Sequence, residues 1–468
     1  MDRMSLPLCV DLDGTLVRTD TLAESVLALL PTPHALPMLA ALARGRAGFK
    51  AHVVALAPPD PALLPYNEAL LDWLRTEREA GRRLVLATAS NEATAQLIAA
   101  HLGIFDEVIA SSPTRNLKGA AKAEALVERF GERGFVYAGD TTADLAVWAR
   151  AAAAVLVEVP DRLAARVGVP VERRIATRPP AARALLKAMR PHQWVKNLLV
   201  FVPILTAHAL TDWRSWQGGL LAFAALCAMA SSIYLVNDLL DLRADRAHPA
   251  KRRRPFAAGT APLGGGIVLT VLLALGGAAL AWWAGVLGIV LAYGATSLAY
   301  SLRLKRLPLV DVFALAGLYT VRIFAGGEAT GHPLSLWLLA FASFLFLSLA
   351  LVKRVAEVLE SEGPLAGRGY GKGDLVILQL FGVCAAFASS LVLALYVQNE
   401  AESGRFATPG LLWAIVPLVL LWNCRIWLAT ARGYMHHDPI LYAVRDRVTW
   451  AIAACTAAAM LAARGGLV

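Results

Sequence analysis

The chain has 468 residues, 57% of them hydrophobic and only 17% charged, and its mean hydropathy of +0.55 excludes a disordered chain. A formal charge of +10 would suit nucleic acid, anionic lipid or phosphorylated substrates. Most basic clusters fall in short loops between apolar runs, so lipid headgroups and phosphates are the expected partners and nucleic acid is not. Cys9, Cys227, Cys384, Cys424 and Cys455 lie far apart, with no CxxC pair, which speaks against a zinc site or a disulfide framework. The opening MDRMSLPLCVDLDGT has an apolar stretch too short for a signal peptide, so the first domain is expected in the cytosol.

Residues 6 to 12 form an apolar run that ends in Asp11-Leu12-Asp13-Gly14-Thr15, the pattern of a buried strand delivering two carboxylates to a turn. One acid can attack phosphorus while the other, two residues on, protonates the leaving oxygen. A magnesium ion would offset the charge of carboxylate and phosphate together. A second strand, Leu84 to Ala87, ends at Thr88, whose hydroxyl can hold a phosphate oxygen. Lys118 and Lys122 lie at the start of a helix over about 119 to 130. A third strand, Phe135 to Ala138, ends in Gly139-Asp140-Thr141-Thr142-Ala143-Asp144, further hard oxygen ligands. In this order the motifs resemble those of the haloacid dehalogenase superfamily of phosphohydrolases. That resemblance implies an α/β Rossmann-like domain over 1–157 with a helical cap over about 17–82. It implies Asp11 as nucleophile, Asp13 as acid and base, Thr88 as phosphate anchor, and Asp11, Asp13, Asp140 and Asp144 around Mg2+. Lys122 is preferred as the charge-stabilising lysine, with Lys118 as its competitor. A closing cap implies a small phosphorylated substrate or an exposed lipid headgroup.

The stretch 158–187, with Pro160, Pro170, Pro179 and Pro180 among arginines, reads as a linker. Beyond it, apolar runs predict nine membrane spans, at about 197–210, 216–239, 263–282, 286–302, 308–327, 334–352, 374–397, 408–430 and 447–464. The even-numbered connections hold sixteen Lys and Arg, the odd-numbered ones only Arg214 and Arg405. By the positive-inside rule the basic loops and the first domain share the cytoplasmic face of the inner membrane.

The second span runs into Asn237-Asp238-Leu-Leu-Asp241-Leu-Arg-Ala-Asp245. On a helix, residues four apart advance by about 40°, so Asn237, Asp241 and Asp245 would share one face. Acids in an apolar helix cost roughly 3 kcal/mol each at the bilayer centre, which calls for a partner such as Mg2+ gripping a diphosphate. The basic loop Lys251-Arg252-Arg253-Arg254 follows, able to anchor the membrane face and to donate to phosphates. This acidic motif resembles that of the UbiA superfamily of intramembrane prenyltransferases, which implies an all-α membrane bundle over 188–468. With Arg190 to Asn197, Arg322, Gly326-Gly327, Lys353-Arg354 and Arg445-Asp446-Arg447, the chain looks like the decaprenyl-phosphate phosphoribosyltransferase branch. The resemblance implies Asn237, Asp238, Asp241 and Asp245 as catalytic, Asp311 completing the metal set, and Lys196, Lys251, Arg254, Arg322, Lys353, Arg354 and Arg445 as phosphate ligands. The second acidic region departs from the superfamily: Asp311 has Leu315 four residues on, where a second acid is usual. Adjacent histidines in His436-His437-Asp438 read more simply as solvated than as metal ligands.

Together these features predict a Mg2+-dependent membrane enzyme of cell-wall precursor synthesis. It would move 5-phosphoribose from phosphoribosyl diphosphate to a polyprenyl phosphate, its phosphatase domain then removing the 5-phosphate. A homo-oligomer is compatible with the sequence. The rivals are an aromatic-acceptor prenyltransferase using prenyl diphosphate, and a non-catalytic lipid transporter or scaffold with a regulatory domain.

Overall fold

The computed structural model describes residues 6–112, 115–361, 363, 365, 368–402, 406–435 and 439–465, with the backbone alone at 43, 44, 46 and 47. His436-His437-Asp438 lies outside the described residues. The chain divides into two units, Met1–Arg190 with Tyr234–Val271, and Pro191–Ile233 with Leu272–Val468.

The first unit is built on six strands, β1 (Leu8–Val10), β2 (Leu84–Asn91), β3 (Glu107–Ser111), β4 (Val136–Gly139), β5 (Ala153–Val157) and β6 (Val171–Ile175). All pair in parallel, in the order β3-β2-β1-β4-β5-β6. Leu8 faces Leu84 on one side and Val136 on the other. Strands β1, β4 and β5 are buried throughout, as a parallel sheet covered on both faces requires. The strand order reverses at β1, so the C-terminal ends of β1, β2 and β4 open the crevice where doubly wound sheets bind ligands.

After β1 come α1 (Thr21–Leu29), α2 (Ala35–Ala40) and α3 (Gly45–Leu56), which share a small core of Leu29, Met38, Val53 and Ala57. These three helices are the cap. The expected cap over 17–82 is too long, because α4 (Glu68–Glu79) packs Leu70, Leu71, Trp73 and Leu74 against Leu8, Val10, Leu84 and Leu86 of the sheet. Its apolar residues at spacings of three and four give it a sheet-facing stripe. Helices α5 (Glu92–Leu102), α6 (Ala120–Phe130) and α7 (Leu145–Trp148) follow, with Ala123, Leu126, Val147 and Trp148 in one core cluster with Cys9, Val85, Tyr137 and Leu156.

The stretch expected as a linker contains α8 (Asp161–Ala164), strand β6 and α9 (Ala181–Ala188). Strand β6 buries only Ile175 and exposes Val171, Arg173 and Arg174. Such a charged edge strand resists pairing with another chain, and its composition reads as a loop. The chain then passes through α10 (Val202–Thr206) and most of α11 (Trp213–Leu240) before returning to this unit for α12 (Leu242–Ala247) and the start of α13 (Leu263–Trp283).

The second unit continues with α14 (Leu287–Leu302), α15 (Val310–Thr330), α16 (Leu336–Glu360), α17 (Leu375–Glu402), α18 (Ile415–Ala431), α19 (Pro439–Arg445) and α20 (Arg447–Ala463). Among the described residues six segments are long and apolar enough to cross a membrane: α11, α13, α15, α16, Lys372–Glu402 and Pro409–Ala431. Two more, α14 and α20, are apolar but shorter. The first expected span is not one helix. Pro191–Phe201 winds as 3-10 and α10 has five residues. Pro203 has no N–H to donate and His208 takes a left-handed φ of 55°, which ends the segment. Inside the unit Val312, Tyr319, Phe346, Leu349, Val352 and Trp427 form one core.

Candidate functional sites

In the first unit, a cavity of about 600 Å3 lies at the carboxyl ends of β1, β2 and β4. Asp11, Asp13, Thr88, Lys118, Lys122, Asp140 and Asp144 all line it, so the sequence-predicted residues of this domain converge. Cap residues Leu22, Leu42, Phe49 and Lys50 line its other side.

Asp11 leaves β1 with its amide donating to the Ala138 carbonyl of β4 at 3.0 Å. Its Oδ1 accepts from the Leu12 amide at 2.9 Å and pairs with Lys122 Nζ at 2.9 Å. Lys122 also donates to Tyr137 Oη at 2.7 Å, and that hydroxyl donates to Asp144 Oδ1 at 3.0 Å. Lys122, not Lys118, is therefore the lysine paired with Asp11. Asp144 Oδ2 accepts from the amides of Asp140 and Thr141 at 3.1 and 2.9 Å and from the Thr141 hydroxyl, which fixes the loop after β4. Thr15 Oγ1 donates to Asp140 at 3.1 Å. Gly14, at φ 82°, is required here: a Cβ would stand 2.2 Å from Asp140 Oδ2.

Asp11, Asp140 and Asp144 each present a carboxylate oxygen, and these oxygens lie within 4.8 Å of one another. Such a set of hard oxygens, with Asp144 buried and Asp11 and Asp140 half-buried, fits Mg2+. Burial and the neighbouring acids Asp11 and Asp144 push Asp140 up to about 8, and burial raises Asp11 against the opposing pull of Lys122. A cation bound among such crowded carboxylates would offset their charge. The carboxylate of Asp13 is outside this group. It accepts from the Thr21 amide at 2.9 Å and from the Ser90 hydroxyl, and burial with the nearby Asp20 pushes it up to about 7. That environment is one for an acid that holds its proton near neutrality. Ser90, whose amide donates to Thr88 Oγ1 at 3.0 Å, Thr15 and Tyr137 were not singled out by the sequence. For Ser90 the signal was its place two residues beyond Thr88 at the end of a buried strand.

A second acidic cluster closes α11, also in the first unit. Asp238 and Asp245 are buried, and Arg254 bridges them at 3.2 and 2.7 Å. Arg190 pairs with Asp238 as well and lies 5.1 Å over the Tyr234 ring. Seven residues make nearly two full helical turns, so Asp238 and Asp245 align, and helical bonds run on from Asn237 through Asp241 to Asp245. Asn237 and Asp241 are half-buried beside them, and Lys251 is exposed in the following turn. Asp238 Oδ2 is buried without a hydrogen-bond partner among the described residues, a site open to a cation or a donor.

In the second unit, Lys196 and Arg322 flank the Tyr319 ring at 5.7 and 5.2 Å. Arg322 is buried, donating to Asn197 Oδ1 at 2.8 Å and Tyr293 Oη at 3.0 Å. Tyr319 is buried and stacks on Phe346, with ring centroids 5.2 Å apart. Asp311 and Arg354 are fully buried and paired at 2.5 Å, and Tyr370 Oη donates to Asp311 at 2.6 Å. Lys353 is half-buried next to Arg354. Arg445 is exposed at the end of α19, while its neighbour Asp446 pairs with Arg425 at 2.7 Å.

The model of the UbiA prenyltransferase family matches residues 198–464, more than half of the chain. The chain belongs to this family. Ahead of the UbiA part, the haloacid dehalogenase-like hydrolase model matches residues 8–149. An uncharacterised protein of Sinorhizobium fredii, y4nM, is 37% identical over 98% of this chain and 91% of its own. The decaprenyl-phosphate phosphoribosyltransferase of Corynebacterium glutamicum is 36% identical over 51% of this chain and 74% of its own. A solved UbiA homologue from Archaeoglobus fulgidus, bound to DMAPP and Mg2+, is 17% identical and covers 61% of this chain and 100% of its own, with a TM-score of 0.45.

Proposed function

We propose that the chain is a bifunctional membrane enzyme that transfers 5-phosphoribose from phosphoribosyl diphosphate to a polyprenyl phosphate and then removes the 5-phosphate. Similarity to decaprenyl-phosphate phosphoribosyltransferases supports the first step. The observation that carries the reading is the cluster at the end of α11, where Arg190 and Arg254 hold Asp238 and Asp245. Guanidinium groups match phosphate oxygens bidentately, and the carboxylates they release are hard ligands. Mg2+ held by Asp238, Asp241 and Asp245 would supply charge neutralisation to the departing diphosphate. Asn237 would orient these acids. The C1–oxygen bond to diphosphate breaks, and an oxygen of the lipid phosphate bonds to C1. The acceptor is already an anion, so no base is needed. Lys196, Lys251, Arg322 and Lys353 are the proposed phosphate ligands. Arg354 and Asp311, committed to each other, and the exposed Arg445 are less suited.

In the second step, Asp11 attacks the phosphorus of the 5-phosphate to form an aspartyl phosphate, and Asp13 gives its proton to the departing ribose oxygen. Water deprotonated by Asp13 then hydrolyses the aspartyl phosphate. Thr88 holds a phosphate oxygen and Lys122 balances charge on Asp11. Mg2+ at Asp11, Asp140 and Asp144 would offset the charge of carboxylate and phosphate. With α14, α20 and the Pro191–Thr206 segment counted as crossings, the chain crosses the inner membrane nine times, with the phosphatase domain in the cytoplasm.

Purified protein given labelled phosphoribosyl diphosphate and polyprenyl phosphate should release diphosphate and then inorganic phosphate. Asp241→Ala should stop the first release, and Asp11→Asn only the second. Loss of product in an Asp241→Ala protein that still folds would exclude the transporter or scaffold alternative. The aromatic-acceptor alternative is disfavoured by Asp311, which lacks a second acid at Leu315 and is held by Arg354.

A further inference from the structure

A buried ion pair ties the cap to the acidic cluster of α11 and α12. Glu24 of α1 and Arg246 of α12 have side chains only 4% and 5% exposed. Arg246 donates to both Glu24 oxygens, at 2.8 and 2.5 Å, and through Nε to the Ala257 carbonyl at 2.9 Å. Beside it, Arg243 donates to the carbonyls of Pro58 and Ala57 after α3, at 2.8 and 3.3 Å. Gly259, at φ 64°, sits where a Cβ would lie 2.6 Å from Arg18 Cβ, so the backbones approach closely there too.

Both ends of the pair adjoin chemistry already described. Arg246 follows Asp245, the carboxylate on Arg254, and Glu24 lies three residues beyond Thr21, whose amide holds Asp13. Apolar residues of equal volume would dock such surfaces at least as firmly as a buried ion pair does. What a planar guanidinium forked onto a carboxylate adds is one fixed register.

We propose that Glu24 and Arg246 are positioning residues: through them the cap holds the segment from Asp241 to Arg254 in the register its acids need. This rests on the proposed transferase function, in which those acids serve the metal and diphosphate. The phosphatase-type domain is then a structural part of the other activity, beyond supplying the second reaction.

The test uses the full-length protein in detergent. Glu24→Gln keeps the shape and removes the charge, whereas Arg246→Lys keeps the charge and loses the fork. In both, amide hydrogen exchange over 241–257 should accelerate at least tenfold. The Mg2+ concentration for half-maximal diphosphate release should rise several-fold, with a smaller fall in kcat. A merely structural role would lower stability and both activities together. The double reversal Glu24→Arg with Arg246→Glu should restore exchange protection, and Asp72→Asn, an exposed acid on α4, should change nothing. If Glu24→Gln does not fold, Arg243→Gln, which removes only the carbonyl contacts, should speed exchange in the same segment by a smaller factor. Unchanged exchange and an unchanged Mg2+ requirement in the folded variants overturn the proposal. Should the wild-type protein release no diphosphate, the transferase reading fails, and exchange alone still decides whether the pair positions the segment.

Discussion

Asp13 illustrates how two residues of separation produce two environments. Asp11 meets Lys122 and its neighbouring acids, whereas Asp13 points to Thr21 and Ser90 and is pushed up to about 7 by burial and Asp20. If Asp13 is the proton donor, Asp13→Asn should lower kcat on a small phosphomonoester by about 10^2- to 10^4-fold with little change in KM, measured by phosphate release. The same burial has a thermodynamic consequence for the metal-free protein. An acid whose folded pKa lies above its unfolded value of about 3.9 favours folding least once it must ionise. Asp13 at about 7 and Asp140 at about 8 should therefore cost stability progressively as pH rises from about 4 to about 8. Thermal unfolding in EDTA should show the midpoint falling over that range. Added Mg2+ should raise it, more at pH 8 than at pH 5.5, and Asp140→Asn should remove most of the difference.

At the level of elements, the Asp311–Arg354 pair ties α15 to α16 in a fully buried setting. Removing one member strands a charge, so Arg354→Met should destabilise the protein by about 3–5 kcal/mol, and adding Asp311→Leu should recover most of it, as read by thermal unfolding in detergent. The helices and strands themselves were largely legible. Leu8 to Asp13 and Phe135 to Asp144 announce buried strands that end in acids, and the long apolar runs announce spans. What stayed hidden depended on partners distant in sequence. The edge strand Val171–Ile175 carries two arginines and a glutamate and buries a single apolar residue, so it has no strand signal of its own. Helix α4 reads as part of the cap until Trp73 and Leu74 are seen against the sheet. Asn237, Asp241 and Asp245, four apart, promised one face, yet the pair that Arg254 joins is Asp238 with Asp245, seven apart, because the arginine's position decides which acids share it.

For the whole molecule, the charge asymmetry of the connections makes a topological prediction. In sealed right-side-out vesicles, a membrane-impermeant thiol reagent should label Thr211→Cys and leave Ala250→Cys unlabelled until the vesicles are opened, both in a background with the native cysteines replaced by serine. Labelling of Ala250→Cys from outside would invert the arrangement and separate the phosphatase domain from the cytoplasm.

The first unit is also discontinuous: it closes with Tyr234–Val271, which ends roughly eighty residues after Arg190. During synthesis, at about 5–20 residues per second, the α/β part emerges some seconds before the stretch that completes it. That stretch carries the end of α11 and the start of α13, two candidate membrane spans. Nascent chains are thus obliged to finish their soluble half only after threading α11 and starting α13. Insertion failure would then be registered as an unfinished phosphatase domain with Glu24 still waiting for its arginine, a state open to chaperones and proteases before any lipid chemistry begins.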